Sequence, residues 1–379
     1  MVCNNPLYVD DVGYVAALPL EWEKLTGKSF LISGASGLIG SFLVDVLMTR
    51  KQGIKIHAIG RNIESANARF SDYTGDDSFK FTAFDINEPL EDFVGNYDFV
   101  LHLASNTHPR AYSADPVGTI TTNIIGLNNM LKFSLEHCTE RFVFASSVEV
   151  YGANRGDTEY FTEDYCGNID ISKARSGYCE AKRCGETLCQ SYIQQYGLDV
   201  VIPRFSRTYG PTMKMDDTKA ISQFIRKGVE HEDIVLKSEG TQLFSYSYVA
   251  DAVSGLLTVM LRGETGTPCN IADSKSDITL RELAGIVAEY SGKKVIFELP
   301  DENERRGYSP ASKAIMDASR IKSLGWSPRY DIKTGITRTL DIIYPFFNPR
   351  PNSKRYLRLS DKLRRTREIM LPENISTVR

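Results

Sequence analysis

Short apolar runs recur along the chain, and each early one leads into polar residues or into helical spacing. Phe30–Ser33 ends at a glycine-rich turn, after which Leu38–Met48 repeats apolar residues at the interval of a helix. Ile54–Ile59 reads as the next strand. Phe79–Phe84, Phe99–Leu103 and Phe142–Ala145 read as further strands, with a helical pattern through Ile124, Leu127, Leu131 and Leu135 between the last two. Strands alternating with helices predict an α/β protein with a doubly wound parallel sheet, covered on both faces. Helical patterns near 177–196, 218–229, 249–261 and 279–291, with short strands between them, predict a smaller C-terminal α/β domain built from several returns of the chain. The expected divisions are an N-terminal extension (1–27), the sheet domain (28–200), mainly the second domain (201–345) and a tail (346–379). From Arg350 to Arg379 that tail holds nine Lys/Arg against three Asp/Glu, and it reads as solvated or packed in a dimer.

Composition narrows the class. A hydrophobic fraction of 42% and a charged fraction of 25% are ordinary for a folded protein able to bury a large core. The net charge of -3 gives no reason to expect a nucleic-acid partner. No apolar run reaches the length of a membrane span, and the first residues lack the pattern of a signal peptide. Cys3, Cys138, Cys166, Cys179, Cys184, Cys189 and Cys269 form no CxxC pair, so free thiols in a reducing cytoplasm are expected. His102, His108 and His137 have no ligand spacing with cysteines or carboxylates, and no metal site is expected. Trp22 and Trp326 read as packing residues.

The turn after the first strand is Gly34-Ala35-Ser36-Gly37-Leu38-Ile39-Gly40, a GxxGxxG pattern that opens the first helix. Glycines there let the backbone turn tightly and approach a pyrophosphate, whose charge sits at the helix N-terminus. The strand before it and the helix after it point to a dinucleotide. The second strand ends Ile59-Gly60-Arg61-Asn62. An acidic residue at that point holds the ribose hydroxyls of NAD, whereas a nearby arginine suits the NADP phosphate, so Arg61 leaves NADP open beside NAD. Asp85, after the third strand, is a candidate partner for the adenine amino group or a helix cap.

Tyr178-Cys179-Glu180-Ala181-Lys182 lies in a helical pattern, and a spacing of four puts Tyr178 and Lys182 on one face. An ammonium beside a phenol favours the phenolate. A tyrosine tuned this way takes a proton from a hydroxyl while hydride leaves the same carbon.

Taken together in order, these motifs resemble the extended short-chain dehydrogenase/reductase family, within it the nucleotide-sugar epimerase/dehydratase group. The resemblance runs from about Lys28 to Tyr344. It includes the glycine loop, His102–Ser105, Asp115-Pro116 followed by Asn123–Asn128, Ser146–Gly152, Tyr178–Lys182, Tyr209-Gly210-Pro211, Tyr248–Asp251 and Leu324–Pro328. It implies a Rossmann-like sheet, a C-terminal substrate domain, a nucleotide-sugar substrate and a homodimer formed through two long helices per chain. Ser147 would bond the sugar 4-hydroxyl, Tyr178 would be the base, and Lys182 would hold the nicotinamide ribose and lower the tyrosine's pKa. Asn123 would buttress the active-site helices, and Ile86, Leu103, Ala104 and Ser105 would line the dinucleotide. Glu149 falls where 4,6-dehydratases and UDP-glucuronate decarboxylases also carry glutamate, but Val148 before it can transfer no proton. Two further positions depart from the family: Arg207 stands for its usual asparagine, and Phe244 for an arginine that pairs with the substrate phosphates. Arg207, Lys313 or Arg306 would supply the replacement cation, or Arg207 is instead a member of an internal ion pair.

The chemistry this implies begins with oxidation at C4 of the sugar. The 4-ketone is then re-reduced from the other face, loses water, or loses carbon dioxide from a uronic acid. Glu149 favours the last two branches and Val148 the first. Two rivals share the scaffold: an NADPH-dependent reductase of a non-sugar carbonyl, favoured by Arg61 and Phe244, and a binding protein without catalysis. The Ser147, Tyr178 and Lys182 set speaks against the binder, which needs no such trio.

Overall fold

The structure is a computed structural model and describes residues 2–91, 93–107, 114–298 and 312–347. Its strands, in chain order, are β1 (Ser29–Ser33), β2 (Lys55–Gly60), β3 (Phe79–Ala83), β4 (Phe99–His102), β5 (Arg141–Phe144), β6 (Ser146–Ser147), β7 (Val200–Phe205), β8 (Arg207–Tyr209), β9 (Ile234–Leu236), β10 (Leu243–Tyr248), β11 (Pro268–Ile271), β12 (Asp277–Thr279), β13 (Val295–Phe297) and β14 (Lys313–Ala314). The main sheet runs β11-β7-β5-β4-β1-β2-β3, with β6 beside β7, and its pairings are parallel. This is the Rossmann-like α/β architecture expected from the alternation of patterns.

Alternate residues of each strand feed two apolar layers. Phe30 and Ile32 of β1 pack with Phe42, Leu43 and Val253, whereas Leu31 packs on the other face with Leu127, Leu131 and Cys189. Burial on both faces is why these strands read as continuous apolar runs. The strand order reverses between β1 and β4, the switch point at which open parallel sheets bind ligands beyond the strand ends. Both the glycine loop after β1 and Leu103–Ser105 after β4 leave the sheet there.

The second layer of strands is small. β10 pairs antiparallel with β12 and parallel with β14 and β8. The chain passes directly from β7 in the main sheet, through Ser206, to β8 in the small one. Val200–Tyr209 therefore connects the two sheets, and Arg204 and Arg207 lie on either side of the crossing.

Residues expected as an extension form a helix, Pro6–Ala16, that is part of the core. Asn5 caps it by accepting from the Leu7 N–H, and Leu7, Tyr8, Val12 and Val15 are buried. Its buried Asp11 accepts from Tyr248 (2.6 Å) and Tyr330 (2.7 Å) and pairs with Arg338 at 2.6 Å. A carboxylate inside a helix reads as surface in the sequence; here it ties the helix to β10 and to the helix Ile332–Phe347. All seven cysteines are free, as expected. Among the described residues no helix is long and apolar enough to cross a membrane, and no cluster of His, Cys, Asp and Glu suits a metal ion. Trp22 and Trp326 are buried, and Trp326 donates to Ser254 Oγ. His108, Arg306 and the basic tail beyond residue 347 lie outside the described residues.

Candidate active site

The glycine loop has the form a dinucleotide requires. Gly34 adopts φ +69°, and a Cβ there would fall 2.6 Å from the Ala104 nitrogen and 2.7 Å from Leu103 C. The loop thus lies directly against the backbone that follows β4. Gly37 is the N-cap of the helix Leu38–Arg50 and offers no side-chain cap, which leaves the first-turn N–H groups for an anion. A Cβ on Gly40 would meet the Gly34 carbonyl at 2.5 Å, so the helix can start this close to β1 only with glycine there. Ser36 and Ile39 complete the loop; the Ser36 hydroxyl lies near Gly60 at the end of β2. Arg61, just beyond, is exposed and reaches Asn106 Oδ1 at 3.4 Å. Asp85 accepts from the Asn87 N–H at 3.0 Å, so it caps a turn at the end of the third strand. Ile86 is buried against Gly126. These residues fit a dinucleotide laid over the first turn.

Asn123 sits in a π-helical turn, Thr122–Gly126, that interrupts the helical pattern read through this stretch. Its amide donates to Ser105 Oγ (2.9 Å) and to the Thr119 carbonyl (2.7 Å), tying the segment after β4 to this helix.

Ser147, Tyr178 and Lys182 come together. The phenol of Tyr178 and the hydroxyl of Ser147 share a hydrogen bond. The Lys182 Nζ lies 5.8 Å from the Tyr178 ring centre and 4.8 Å from that of Phe144, and donates to the Ala145 carbonyl at 2.7 Å. The helix Ser176–Tyr196 carries both Tyr178 and Lys182 on its buried face. Gly185 lets it approach the sheet: a Cβ there would lie 2.5 Å from the Phe144 ring. Burial raises the Tyr178 pKa well above its ordinary value; the Ser147 bond opposes this and the Glu149 charge adds to it. Burial pushes Lys182 down to about 7, opposed by the charge of Glu186. Beneath them His102 is fully buried, bonds Ser33 through Nδ1 at 3.1 Å, and is held uncharged, at about 3, by burial and by the Lys182 charge.

The alternation along Ser147-Val148-Glu149 sends Val148 into the core and leaves Ser147 and Glu149 half-exposed. Glu149 pairs with Arg207 at 3.4 Å and accepts from the Cys179 thiol at 3.6 Å. The Arg207 guanidinium lies over the Phe244 ring, 3.7 Å from its centre. The two family departures therefore form one unit: the phenyl ring at 244 seats the cation at 207. β8 and β10 are neighbours, with Arg207 in register with Tyr246, which makes this pairing geometrically direct. Lys313 is placed differently. It pairs in register with Leu243, and its charge acts on Asp277.

Sequence reading did not identify Glu186 or Arg204. Arg204 grips Glu186 through two nitrogens, at 2.8 and 2.6 Å, and Ser146 also donates to Glu186. The signal was available as spacing: Glu186 lies four residues after Lys182 on the same helix.

A family model described as "NAD dependent epimerase/dehydratase family" matches residues 30–272. Among curated proteins, UDP-glucuronic acid decarboxylase 6 of Arabidopsis thaliana is 35% identical over 311 residues, 81% of this chain and 86% of that protein. Among solved structures, UDP-glucuronic acid 4-epimerase of Bacillus cereus in complex with UDP-glucuronic acid and NAD superposes with a TM-score of 0.72 at 22% identity, covering 84% of this chain and 99% of that one. The dTDP-glucose 4,6-dehydratase of Bacillus anthracis in complex with NAD superposes with a TM-score of 0.70 at 20% identity, covering 87% and 98%.

Proposed function

Since the chain belongs to the NAD-dependent epimerase/dehydratase family of enzymes, we propose that it oxidises C4 of a UDP-linked uronic acid and releases carbon dioxide from the resulting 4-ketone. The observation that carries this reading is the juxtaposition of Ser147, Tyr178 and Lys182, next to His102, which bonds Ser33 at the end of β1 before the glycine loop. The relatives support the uronic acid: the decarboxylase match extends over most of both chains.

Ser147 orients the C4 hydroxyl, and Tyr178 removes its proton. A bound NAD, held over the glycine loop, would supply the reversible hydride acceptance at C4. Lys182 holds the cofactor's ribose and, while charged, steadies the phenolate. With a ketone at C4, the C6 carboxylate is β to a carbonyl, so the C5–C6 bond breaks and its electron pair passes into the C4–C5 enolate. A proton from solvent then adds at C5, and Tyr178 returns the proton it took to the C4 oxygen. The overall change is loss of carbon dioxide with no net redox. Arg207 supplies the cation for an anionic group of the substrate, seated on Phe244 and balanced by Glu149. Arg61 and Asn106 border the adenosine end of the cofactor. Phe244 has its own explanation in the Arg207 stack, which removes one support of the reductase alternative.

We also propose that the enzyme works as a homodimer in the cytoplasm. The helices Pro116–Thr121, Leu127–Glu136 and Ser176–Tyr196 adjoin one another, and Val117, Ile125 and Tyr196 on or beside them are exposed. A second copy of the chain would cover that apolar face.

Mass spectrometry of UDP-glucuronate incubated with the enzyme tests the reaction. Conversion to a UDP-pentose with release of carbon dioxide is expected. An isobaric product would establish epimerisation instead, product lacking water would establish dehydration, and steady consumption of added NADPH would establish the reductase.

A further inference from the structure

Lys182 is an ammonium-bearing side chain with almost no contact with water. Its Nζ has one carbonyl partner, Ala145, and two aromatic faces, Phe144 and Tyr178. None of these carries a formal charge when the phenol is protonated. The groups around it are quickly surveyed. On its own helix stand Tyr178, Glu186 and Cys189; burial pushes the Cys189 thiol far up, so it is uncharged. On β4 stands His102, also uncharged. Glu149 acts on Tyr178 and is engaged by Arg207. The negative charge acting on Lys182 is that of Glu186, one helical turn away.

Glu186 is itself tightly held. Ser146 donates to one carboxylate oxygen, and Arg204 spans both oxygens. Arg204 also donates to the Tyr151 hydroxyl (3.0 Å) and to the Glu163 carbonyl (2.7 Å). Tyr151 in turn donates to Asn270, whose amide donates to the carbonyls of Phe161 and Asp317 at 2.9 Å each. Ser146 directly precedes Ser147. The carboxylate is thus fixed at the junction of the catalytic strand end, β7 and the loops that lead into the second layer of strands.

We infer that Glu186, clamped by Ser146 and Arg204, is a positioning residue that keeps Lys182 protonated and aimed at Tyr178 and the cofactor ribose. This rests on the roles proposed above for Tyr178 and Lys182. Arg204 has the complementary task of fixing the Glu186 carboxylate and preventing it from swinging toward Lys182 to form a closed pair. A lysine shielded by an ion pair of its own would no longer act on the phenol; a carboxylate held back by Arg204 supports the charge from a distance.

The test is the pH profile of turnover in the full-length enzyme, measured for wild type, Glu186→Gln, Glu186→Asp, Lys182→Met and Tyr178→Phe. Removing the carboxylate lowers the Lys182 pKa, so the charged form is lost at lower pH. For Glu186→Gln the alkaline limb should therefore move about one pH unit toward acid, with about a tenfold loss at pH above that limb and little loss below it. Glu186→Asp, which keeps the charge but draws it back from Lys182 by one methylene, should move the limb in the same direction by a smaller, measurable amount. A merely structural Glu186 would lower turnover by the same factor at every pH, and that result would overturn the inference. Should Glu186→Gln not fold, Glu186→Asp alone decides: a smaller shift in the same direction supports the inference, and an unmoved limb overturns it. Full turnover in Lys182→Met and Tyr178→Phe would instead sink the catalytic reading on which it rests, a result distinguishable from an unmoved limb.

Discussion

At the residue scale, charge placement separates this chain from its family pattern. The family's arginine is absent from position 244, yet a guanidinium still reaches the same neighbourhood from position 207, because β8 and β10 lie side by side. The sequence showed both residues but not that they touch one another; that requires the strand pairing. If Arg207 holds an anionic substrate group, Arg207→Gln should cost about 2 kcal/mol of binding, roughly thirtyfold in KM for UDP-glucuronate, from the loss of charge-assisted hydrogen bonds. Steady-state kinetics checks this, and an unchanged KM would remove Arg207 from the substrate site. Glu186 escaped sequence reading for a different reason. A glutamate among charged helix residues reads as solvent-facing, and only Arg204, 18 residues later, makes it interior.

At the scale of elements, the first βα unit was the most legible. Its strand, glycine loop and helix are adjacent in sequence, so local pattern and local structure coincide. The loop's glycines serve different ends. At Gly34 the positive φ and the backbone beyond β4 both exclude a side chain, so Gly34→Ala should destabilise the fold by about 1–3 kcal/mol as well as abolish NAD binding. Gly37 has φ -77°, which any residue tolerates, and a Cβ there would have one close neighbour at 3.1 Å. Gly37→Ala should keep most of the stability and lose NAD affinity. Thermal unfolding combined with calorimetric titration of NAD distinguishes the two; equal effects on both quantities would contradict this division. The least legible element was the helix Pro6–Ala16. Asp10 and Asp11 interrupt its apolar pattern, and the partners that justify burying Asp11 lie more than 230 residues away.

At the scale of the whole molecule, the order of patterns was enough to give the parallel sheet, whereas the small sheet was not readable. Its strands β8, β12 and β14 have two or three residues each, too few to show a period. Its placement is nevertheless specific: it brings Arg207, seated on Phe244, to Glu149, two residues after Ser147. The exposed apolar residues Val117, Ile125 and Tyr196 belong to this scale too. Sedimentation velocity should show a dimer for the wild type and a monomer for the double variant Val117→Asp, Ile125→Asp. A monomeric wild type would contradict the proposed assembly.

The most direct measurement is a single turnover with enzyme in excess over UDP-glucuronate, following reduced nicotinamide by absorbance while the released carbon dioxide is trapped. The wild type should show a transient rise in reduced cofactor that decays as carbon dioxide appears, and Tyr178→Phe should slow both phases on the order of 10²–10⁴-fold. Carbon dioxide released at the wild-type rate by Tyr178→Phe, or turnover with no reduced cofactor in either protein, would contradict oxidation at C4 by this site.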